Sequence, residues 1–442
     1  MRSDTIKDTS MYKMQQIQIR SPKEGLIPME QGTWMLQQLC SLFVLTILVR
    51  SALFIRQHYG SDYTSIDIYN LVNIVATFAI AAILVIRLQD VILAVREAGT
   101  GIRFIVFYYV VCAVVGVWSP SPEYAMFRVF EFLACFWAIM LMLRRSGNFL
   151  KAERLALLCM SISLVLEIGG QIRLGGWGAF NTNRYSVTAA MLLGYSFGEL
   201  SSATGRRKRL LVITLVMGLG GVLLGTSTGS NLAIAGGLIV LFILSPRHGR
   251  YILFALPALL VVGSWGRFLG ILFGGKSVEQ VVSFSNRMSI WVTSWALFIQ
   301  RPLLGYGLNI ASRHYSHMVS SHNAYLEALL SGGFLGAGVL FLGCLFILRD
   351  LRRSVKRHAT GSLGCCVATV VFLINGMSIP TIGFILTPHT IAFAFMLALF
   401  VYHVRYPAEI SLEPLNISSA QWSRIPRLYV NGRTPEPSTE VP

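Results

Sequence analysis

The sequence predicts an all-α polytopic membrane protein, and both its composition and its long apolar runs indicate this fold class. Of its 442 residues, 54% are hydrophobic and 13% are charged, and the mean hydropathy is +0.62. Soluble domains carry about 25% charged residues, so this composition argues against a soluble fold. A membrane-spanning helix needs about 20 apolar residues, and the apolar content is sufficient for about a dozen such helices.

Apolar runs separated by polar connections predict about twelve membrane-spanning helices. The first run follows a polar stretch, which argues against a signal peptide. Residues 1–34 and 405–442 are predicted to be cytoplasmic tails, and 35–404 to form the transmembrane domain. The predicted spans are residues 35–55, 68–86, 104–118, 124–143, 155–170, 186–203, 210–225, 231–245, 251–265, 324–348, 362–379 and 388–404.

The distribution of basic residues predicts the orientation of these spans. The chain has 37 Lys and Arg against 20 Asp and Glu, and 27 of the basic residues lie in the two tails and in alternate connections. Cytoplasmic loops collect Lys and Arg, so we expect this side and both termini to be cytoplasmic. The same rule explains the net charge of +17 without a nucleic-acid partner. The seven cysteines lie in apolar runs without CxxC spacing and are predicted to be core residues.

The connection between the ninth and tenth spans, residues 266–323, is longer than any other and is predicted to face the outer side of the membrane. Within it, residues 286–300 have the apolar pattern of an amphipathic helix, and Pro302 ends the pattern. A long loop with its own helix is usually functional. The alternative is a lid that only lies on the lipid headgroups.

Arginines on the predicted outer face indicate an anionic ligand. The outward acidic residues form no cluster, and the sequence has no HExxH, GxSxG or phosphate-loop motif, so a metal site is not predicted. Guanidinium groups bind phosphate through paired donors. The candidate ligands are Arg128, Arg184, Arg267 and Arg287. For Arg128, a structural ion pair with Glu131 is an open alternative; for Arg184, the alternative is an interfacial arginine that reaches the headgroups.

His322, just before the tenth span, is the candidate general base. The positive end of a helix dipole lowers the pKa of an imidazole, and a neutral imidazole accepts a proton at pH 7. A histidine that only hydrogen-bonds the loop is the alternative. Asn323 is interpreted either as a substrate contact or as a helix cap, and Glu327 as a partner of the helix dipole.

Four motifs follow one another in and after the long loop. They are Asn286-Arg287-Met288-Ser289-Ile290-Trp291, then Arg301-Pro302-Leu303-Leu304-Gly305-Tyr306-Gly307, then Ser321-His322-Asn323-Ala324-Tyr325-Leu326-Glu327, then Gly332-Gly333-Phe334-Leu335-Gly336. Weaker matches lie upstream at Trp118-Ser119-Pro120 and at Gly178-Ala179-Phe180-Asn181-Thr182-Asn183. As an ordered set they resemble the O-antigen ligase and Wzy-type polymerase superfamily, best over residues 100–345.

This resemblance implies a metal-independent, cofactor-free bacterial membrane glycosyltransferase. Such enzymes take a glycan from an undecaprenyl-pyrophosphate carrier at the periplasmic face of the inner membrane. The implied partners are the carrier-linked oligosaccharide, an acceptor glycolipid and the lipid bilayer, with a chain-length regulator as a further candidate. Carried over from the family, His322 would be the base on the acceptor hydroxyl and Arg287 a pyrophosphate ligand in an inverting transfer.

One motif departs from the family pattern. Family members commonly have Ser-Arg-Gly after the seventh span, where this chain has Thr226-Ser227-Thr228-Gly229-Ser230-Asn231, so Thr228 replaces an arginine. The turn still offers backbone N–H groups to a phosphate, and Arg184 or Arg267 would supply the missing charge. The change slightly favours a polymerase of O-antigen or exopolysaccharide repeats over a ligase that attaches glycan to lipid A–core. A twelve-span secondary transporter and a non-catalytic assembly subunit are more distant alternatives.

Overall fold

The computed structural model describes residues 31–53, 68–146, 148–173, 183–225, 227–245, 287–316 and 320–405. All regular secondary structure in these ranges is helical. The α-helices, numbered here in chain order, are α1 Gln31–Leu53, α2 Ile68–Ile86, α3 Leu88–Glu97, α4 Thr100–Gly116, α5 Pro122–Arg144, α6 Phe149–Arg173, α7 Asn183–Glu199, α8 Gly205–Leu224, α9 Thr228–Leu244, α10 Arg287–Gln300, α11 Ala324–Lys356, α12 Ser362–Asn375 and α13 Pro388–Arg405. A short π-helical segment, Ala311–Tyr315, lies between α10 and α11.

The helices follow the predicted apolar runs closely. Eleven of the twelve runs coincide with a helix, and the ninth, residues 251–265, lies outside the described residues. Helix α10 occupies the position of the predicted loop helix, although the part of the long loop before Arg287 also lies outside the described residues. Because the amphipathic pattern and the helix coincide, this part of the loop has a defined conformation.

Several helices are long and apolar enough to cross a bilayer. In the described part of the chain three qualify by themselves: Pro122–Arg144, Phe149–Ile172 and Ala324–Lys356. A bent pair, α2 with α3, would be a fourth, and five shorter apolar helices accompany them. The protein is therefore a multi-pass helical membrane protein, and the number of twelve spans stays a prediction.

Helix α3 corrects one predicted connection. The sequence predicts a polar connection at residues 87–103, whereas α3 occupies most of it and is bent by 87° from α2. The carboxylates of Asp90 and Glu97 form ion pairs with Arg145 (2.5 Å) and Arg144 (2.8 Å) at the end of α5. The charged residues that suggested a loop thus stabilise a short helix against α5.

Helix α12 ends earlier than the predicted span 362–379. Its last residue is Asn375, and the Gly376 N–H bonds back to the carbonyls of Phe372 (3.2 Å) and Leu373 (3.0 Å). Pro380 has no N–H and cannot continue a helix, so the chain turns here. Residues 375–378, called here the α12 turn, contribute to the candidate site below.

Most buried apolar side chains form one core shared by nearly all helices. Helix α7 packs against α8 and α12, α13 packs against α5 and α6, and α4 packs along α11. The cysteines are free; five are buried and two half-buried, in agreement with their predicted place in the core.

Helix α11 is broken at Gly333, and the loop after α10 fills the break. Gly333 has φ 62° and ψ −165°, a conformation accessible mainly to glycine. The N–H of Phe334 donates to the Pro302 carbonyl (2.7 Å), and the N–H of Tyr306 donates to the Leu330 carbonyl (2.8 Å). Gly307 N–H similarly bonds to Ser331 (2.9 Å). The motifs at residues 301–307 and 332–336 are therefore two halves of one backbone interaction.

A charged cluster joins four helices at the basic-rich end of the bundle. The Arg207 guanidinium lies 2.7 Å from a Glu153 carboxylate oxygen and 2.8 Å from one of Glu199. Glu199 also accepts the N–H groups of Gly361 and Gly364, each at 2.9 Å, at the start of α12. Both carboxylates are almost fully buried, so their charges depend on Arg207 for compensation.

We expect Arg207→Ala to destabilise the folded protein strongly, because it leaves two buried carboxylates without a cation. Removing one partner of a buried ion pair typically costs about 3–5 kcal/mol. Thermal unfolding of the detergent-purified protein measures the effect. Arg206→Ala, at the adjacent exposed position, is the control and should leave the midpoint almost unchanged. Equal midpoints for the two variants would contradict a structural role for the cluster.

Candidate active site

His322 lies in a tight turn immediately before α11. Its φ is +52°, a left-handed conformation that non-glycine residues rarely adopt, and its N–H donates to Ser320 Oγ at 3.3 Å. Such a conformation costs about 1–3 kcal/mol and persists only where the surrounding contacts fix it. The imidazole is half-buried.

Hydrogen bonds on both sides fix this turn. Asn323 is the N-cap of α11, and its Oδ1 accepts the N–H groups of Tyr325 (2.9 Å) and Leu326 (3.1 Å). The buried carboxylate of Glu327 accepts Ser321 N–H at 3.0 Å and Ser312 Oγ–H at 2.9 Å. Glu327 therefore joins the π-helical segment to the His322 turn, a role beyond the predicted helix-dipole interaction.

Arg287 lies at the start of α10 and contacts the α12 turn. Its Nη1 donates to the Ser378 carbonyl oxygen at 2.7 Å. In the same turn, the Gly376 carbonyl accepts the N–H of Ala324 at 2.7 Å. Ala324 is two residues after His322. The α12 turn thus brings Arg287 and the His322 segment together.

Burial and the positive charge of Arg287 lower the pKa of His322 from its usual value near 6.5 to about 4. The direction agrees with the prediction, but the cause is burial and a neighbouring guanidinium rather than the helix dipole. Arg313 of the π-helical segment acts on the carboxylate of Glu327. Burial also lowers the pKa of Arg287, which nonetheless stays charged at neutral pH.

The N-terminus of α9 lies against the same turn. Ser227 is its N-cap and accepts the Ser230 N–H at 3.4 Å, and Ser230 Oγ donates to Asn375 Oδ1 at 2.9 Å. A Cβ on Gly229 would overlap Ser378 Oγ and Cβ, so the Ser378 side chain packs directly against the α9 backbone. Thr228, the first residue of α9, is half-buried beside this contact.

Together these elements offer a proton acceptor next to a site suited to an anion. A neutral imidazole can remove a proton from a hydroxyl group. A guanidinium and a helix N-terminus both stabilise negative charge. Within the described ranges, no group of three or more His, Cys, Asp or Glu side chains is placed to hold a metal ion.

Of the other predicted arginines, the structure describes the side chain of Arg128 alone, and it makes its contacts outside this arrangement. Arg128 forms an ion pair with Glu131 (2.8 Å), which also accepts a hydrogen bond from Asn73, and its guanidinium lies 5.1 Å from the Tyr124 ring centroid. These contacts agree with the alternative interpretation of Arg128 as one partner of a structural ion pair with Glu131. Arg267 and the side chain of Arg184 lie outside the described residues.

Sequence reasoning missed the α12 turn altogether. Its residues fall inside an apolar run and carry no charged or motif residue. Two of its contacts with the candidate site are made by backbone carbonyls, which any sequence would supply. Only the break before Pro380 signals that the helix cannot extend to residue 379.

Comparison with known families supports the resemblance drawn from the motifs. Residues 213–342 match the family model described as O-antigen ligase. This segment contains Thr228, Arg287, His322 and Asn323, and it ends before the α12 turn. No curated protein matches the chain. The predicted relationship to the O-antigen ligase and Wzy-type superfamily is confirmed over the matched segment.

We expect Arg287→Gln to raise the pKa of His322 from about 4 toward 6.5, because it removes the nearby positive charge while burial persists. NMR titration of the imidazole proton measures this pKa, with His322→Gln identifying the resonance. The control is Arg301→Gln at the far end of α10, about 20 Å away along the helix. An unchanged pKa in Arg287→Gln would mean that the guanidinium does not act on His322.

Proposed function

We propose that the protein is a metal-independent inverting glycosyltransferase that transfers a glycan from undecaprenyl pyrophosphate to an acceptor hydroxyl at the periplasmic face of the bacterial inner membrane. The observation that carries the proposal is the neutral His322 beside Arg287 and the α9 N-terminus. The O-antigen ligase family match over this segment supports the same reaction class.

In the proposed reaction, His322 removes the proton from an acceptor sugar hydroxyl. The resulting oxygen attacks the anomeric carbon of the donor sugar from the face opposite the pyrophosphate. The bond between the anomeric carbon and the pyrophosphate oxygen breaks, and the electron pair leaves with undecaprenyl pyrophosphate. The low pKa of His322 keeps the base unprotonated over the whole neutral range.

Arg287 stabilises the leaving pyrophosphate in this proposal. In the described part of the chain its hydrogen-bond partner is a carbonyl, not a carboxylate, so its positive charge is not neutralised by an ion pair there. A guanidinium has five N–H donors, and one bond to Ser378 leaves others for phosphate oxygens. Stabilising charge at the leaving group typically contributes about 2.7–4 kcal/mol per donor. Further contacts to the donor are proposed for Arg184, Arg267 and Thr228. Asn323, the N-cap of α11, is proposed as a substrate contact beside His322.

Polymerisation of O-antigen or exopolysaccharide repeats is the preferred form of the reaction. Thr228 stands where ligases of the family commonly have an arginine, and polymerases vary there. The alternative is a ligase that transfers glycan to lipid A–core, which the name of the matched family favours. Analysis of a deletion strain separates the two forms: accumulated single repeats indicate lost polymerisation, and full-length chains retained on the carrier indicate lost ligation.

We expect His322→Gln to lower glycan transfer about 10²–10⁴-fold, the usual contribution of a positioned general base. Glutamine keeps a donor and an acceptor but takes no proton at neutral pH. The assay follows transfer from a synthetic carrier-linked oligosaccharide by the purified protein in lipid nanodiscs. His314→Gln, at an exposed position of the π-helical segment, is the matched control and should retain activity. Normal transfer by His322→Gln would refute the assignment of His322 as the base.

In the same assay, we expect Arg287→Ala to abolish transfer without loss of folded protein.

The proposed orientation is tested by cysteine labelling from outside the inner membrane. Arg206 and Arg301 are both exposed and belong to opposite sides in the predicted topology. In spheroplasts, an impermeant maleimide should label Arg301→Cys and leave Arg206→Cys unlabelled. The natural cysteines are buried or half-buried, so the background should be low and is measured on the unsubstituted protein. Labelling of Arg206→Cys alone would reverse the topology and put the site in the cytoplasm.

A further inference from the structure

The α12 turn is contacted by three separate parts of the candidate site. It lies at residues 375–378, beyond the segment 213–342 that matches the O-antigen ligase family. Its contacts reach α10, the start of α11 and the start of α9. A single short turn therefore contacts all three elements and contributes to how they lie relative to one another.

The first contact holds Arg287. The Ser378 carbonyl accepts the guanidinium Nη1 at 2.7 Å. The position of that carbonyl depends on the turn itself, since Ser378 N–H and Ser378 Oγ both bond to the Asn375 carbonyl, at 2.9 and 3.2 Å. A shift of the turn would move the guanidinium with it.

The second contact holds the His322 segment. The Gly376 carbonyl accepts the Ala324 N–H at 2.7 Å, and the Tyr325 hydroxyl donates to the Leu373 carbonyl at 2.7 Å. These bonds connect the first turn of α11 to the end of α12. His322 is two residues before Ala324, so its place follows from the same connection.

The third contact is made by a side chain. Asn375 is buried, with 1% of its surface exposed, and both ends of its amide are bonded. Its Oδ1 accepts Ser230 Oγ–H at 2.9 Å, and its Nδ2 donates to the Val371 carbonyl at 3.0 Å. This amide therefore provides a polar side-chain connection between the α12 turn and α9.

We propose that Asn375 is a positioning residue that fixes the separation of the Arg287 guanidinium and the His322 imidazole by binding the α12 turn to Ser230 of α9. This proposal rests on the proposed glycosyltransferase function. Asn375 itself contacts neither the donor nor the acceptor. Its effect is on the rate of transfer, because displacement of a catalytic group by about 1 Å costs on the order of 10²-fold.

The first experiment compares Asn375→Leu, which keeps the branching of the side chain and replaces both polar atoms by methyl groups, with Ser230→Ala, which removes the hydroxyl at the other end. We expect kcat for glycan transfer to fall about 10–100-fold in each. The double variant should have about the same kcat as the more impaired of the two single variants, because both changes remove the same hydrogen bond. Thr369→Val, a buried polar position on α12, is the control and should keep the kcat of the unsubstituted protein.

The second readout separates positioning from a loss of folded protein. Movement of Arg287 away from His322 raises the pKa of His322, so the acid limb of the kcat/KM profile and the NMR titration of the imidazole should both shift upward. A purely structural defect lowers the amount of active protein and leaves both midpoints unchanged. If Asn375→Leu does not fold, Ser230→Ala, the smaller change, carries the same test.

A wild-type kcat in both variants, or a fall in activity with an unchanged His322 pKa, would overturn the proposal. Failure of the proposed function looks different: the unsubstituted protein would then transfer no glycan from the carrier. In that case the NMR titration still decides whether Asn375 sets the distance between Arg287 and His322.

Discussion

The pairing of residues 302–307 with the broken helix α11 is the interaction on which the candidate site depends. A bilayer offers no water to an interrupted helix, so backbone N–H and C=O groups freed by a break must be bonded within the protein. At Gly333 the loop after α10 supplies those partners. Because α10 ends where this loop begins, the break also determines where α10 lies, and α10 begins with Arg287.

The first turn of α11 and the α12 turn then complete the arrangement. The same interior that excludes water keeps His322 neutral, since burial and the guanidinium of Arg287 both disfavour the imidazolium. A base of low pKa is a weak proton acceptor but is fully available at neutral pH. In the proposed reaction, such a base suits a transition state in which stabilisation of the leaving pyrophosphate lowers much of the barrier.

Hydropathy predicted every described α-helix except α3, and motif order predicted His322 and Arg287, two residues close enough for the guanidinium to lower the pKa of the imidazole. Local spacing also identified the Arg128–Glu131 pair as an alternative to ligand binding, because residues three apart on a helix are neighbours. The α12 turn could not be predicted, since it acts through carbonyl groups and lies about 50 residues after the nearest motif residue it contacts. The cause of the low His322 pKa was also beyond the sequence, because burial is a property of the tertiary structure.

Under the proposed function, the pyrophosphate of the donor brings negative charge to the N-terminus of α9, where Thr228 lies. The family's arginine would stand at the N-terminus of α9, where the helix dipole already contributes about half a positive charge. Ser227 and Ser230 keep this end ordered through the cap and through the bond to Asn375. Gly229 leaves room for the Ser378 side chain of the α12 turn at this helix end. Under the proposed function, Arg287, which is held by the Ser378 carbonyl of the same turn, would supply the positive charge that Thr228 lacks.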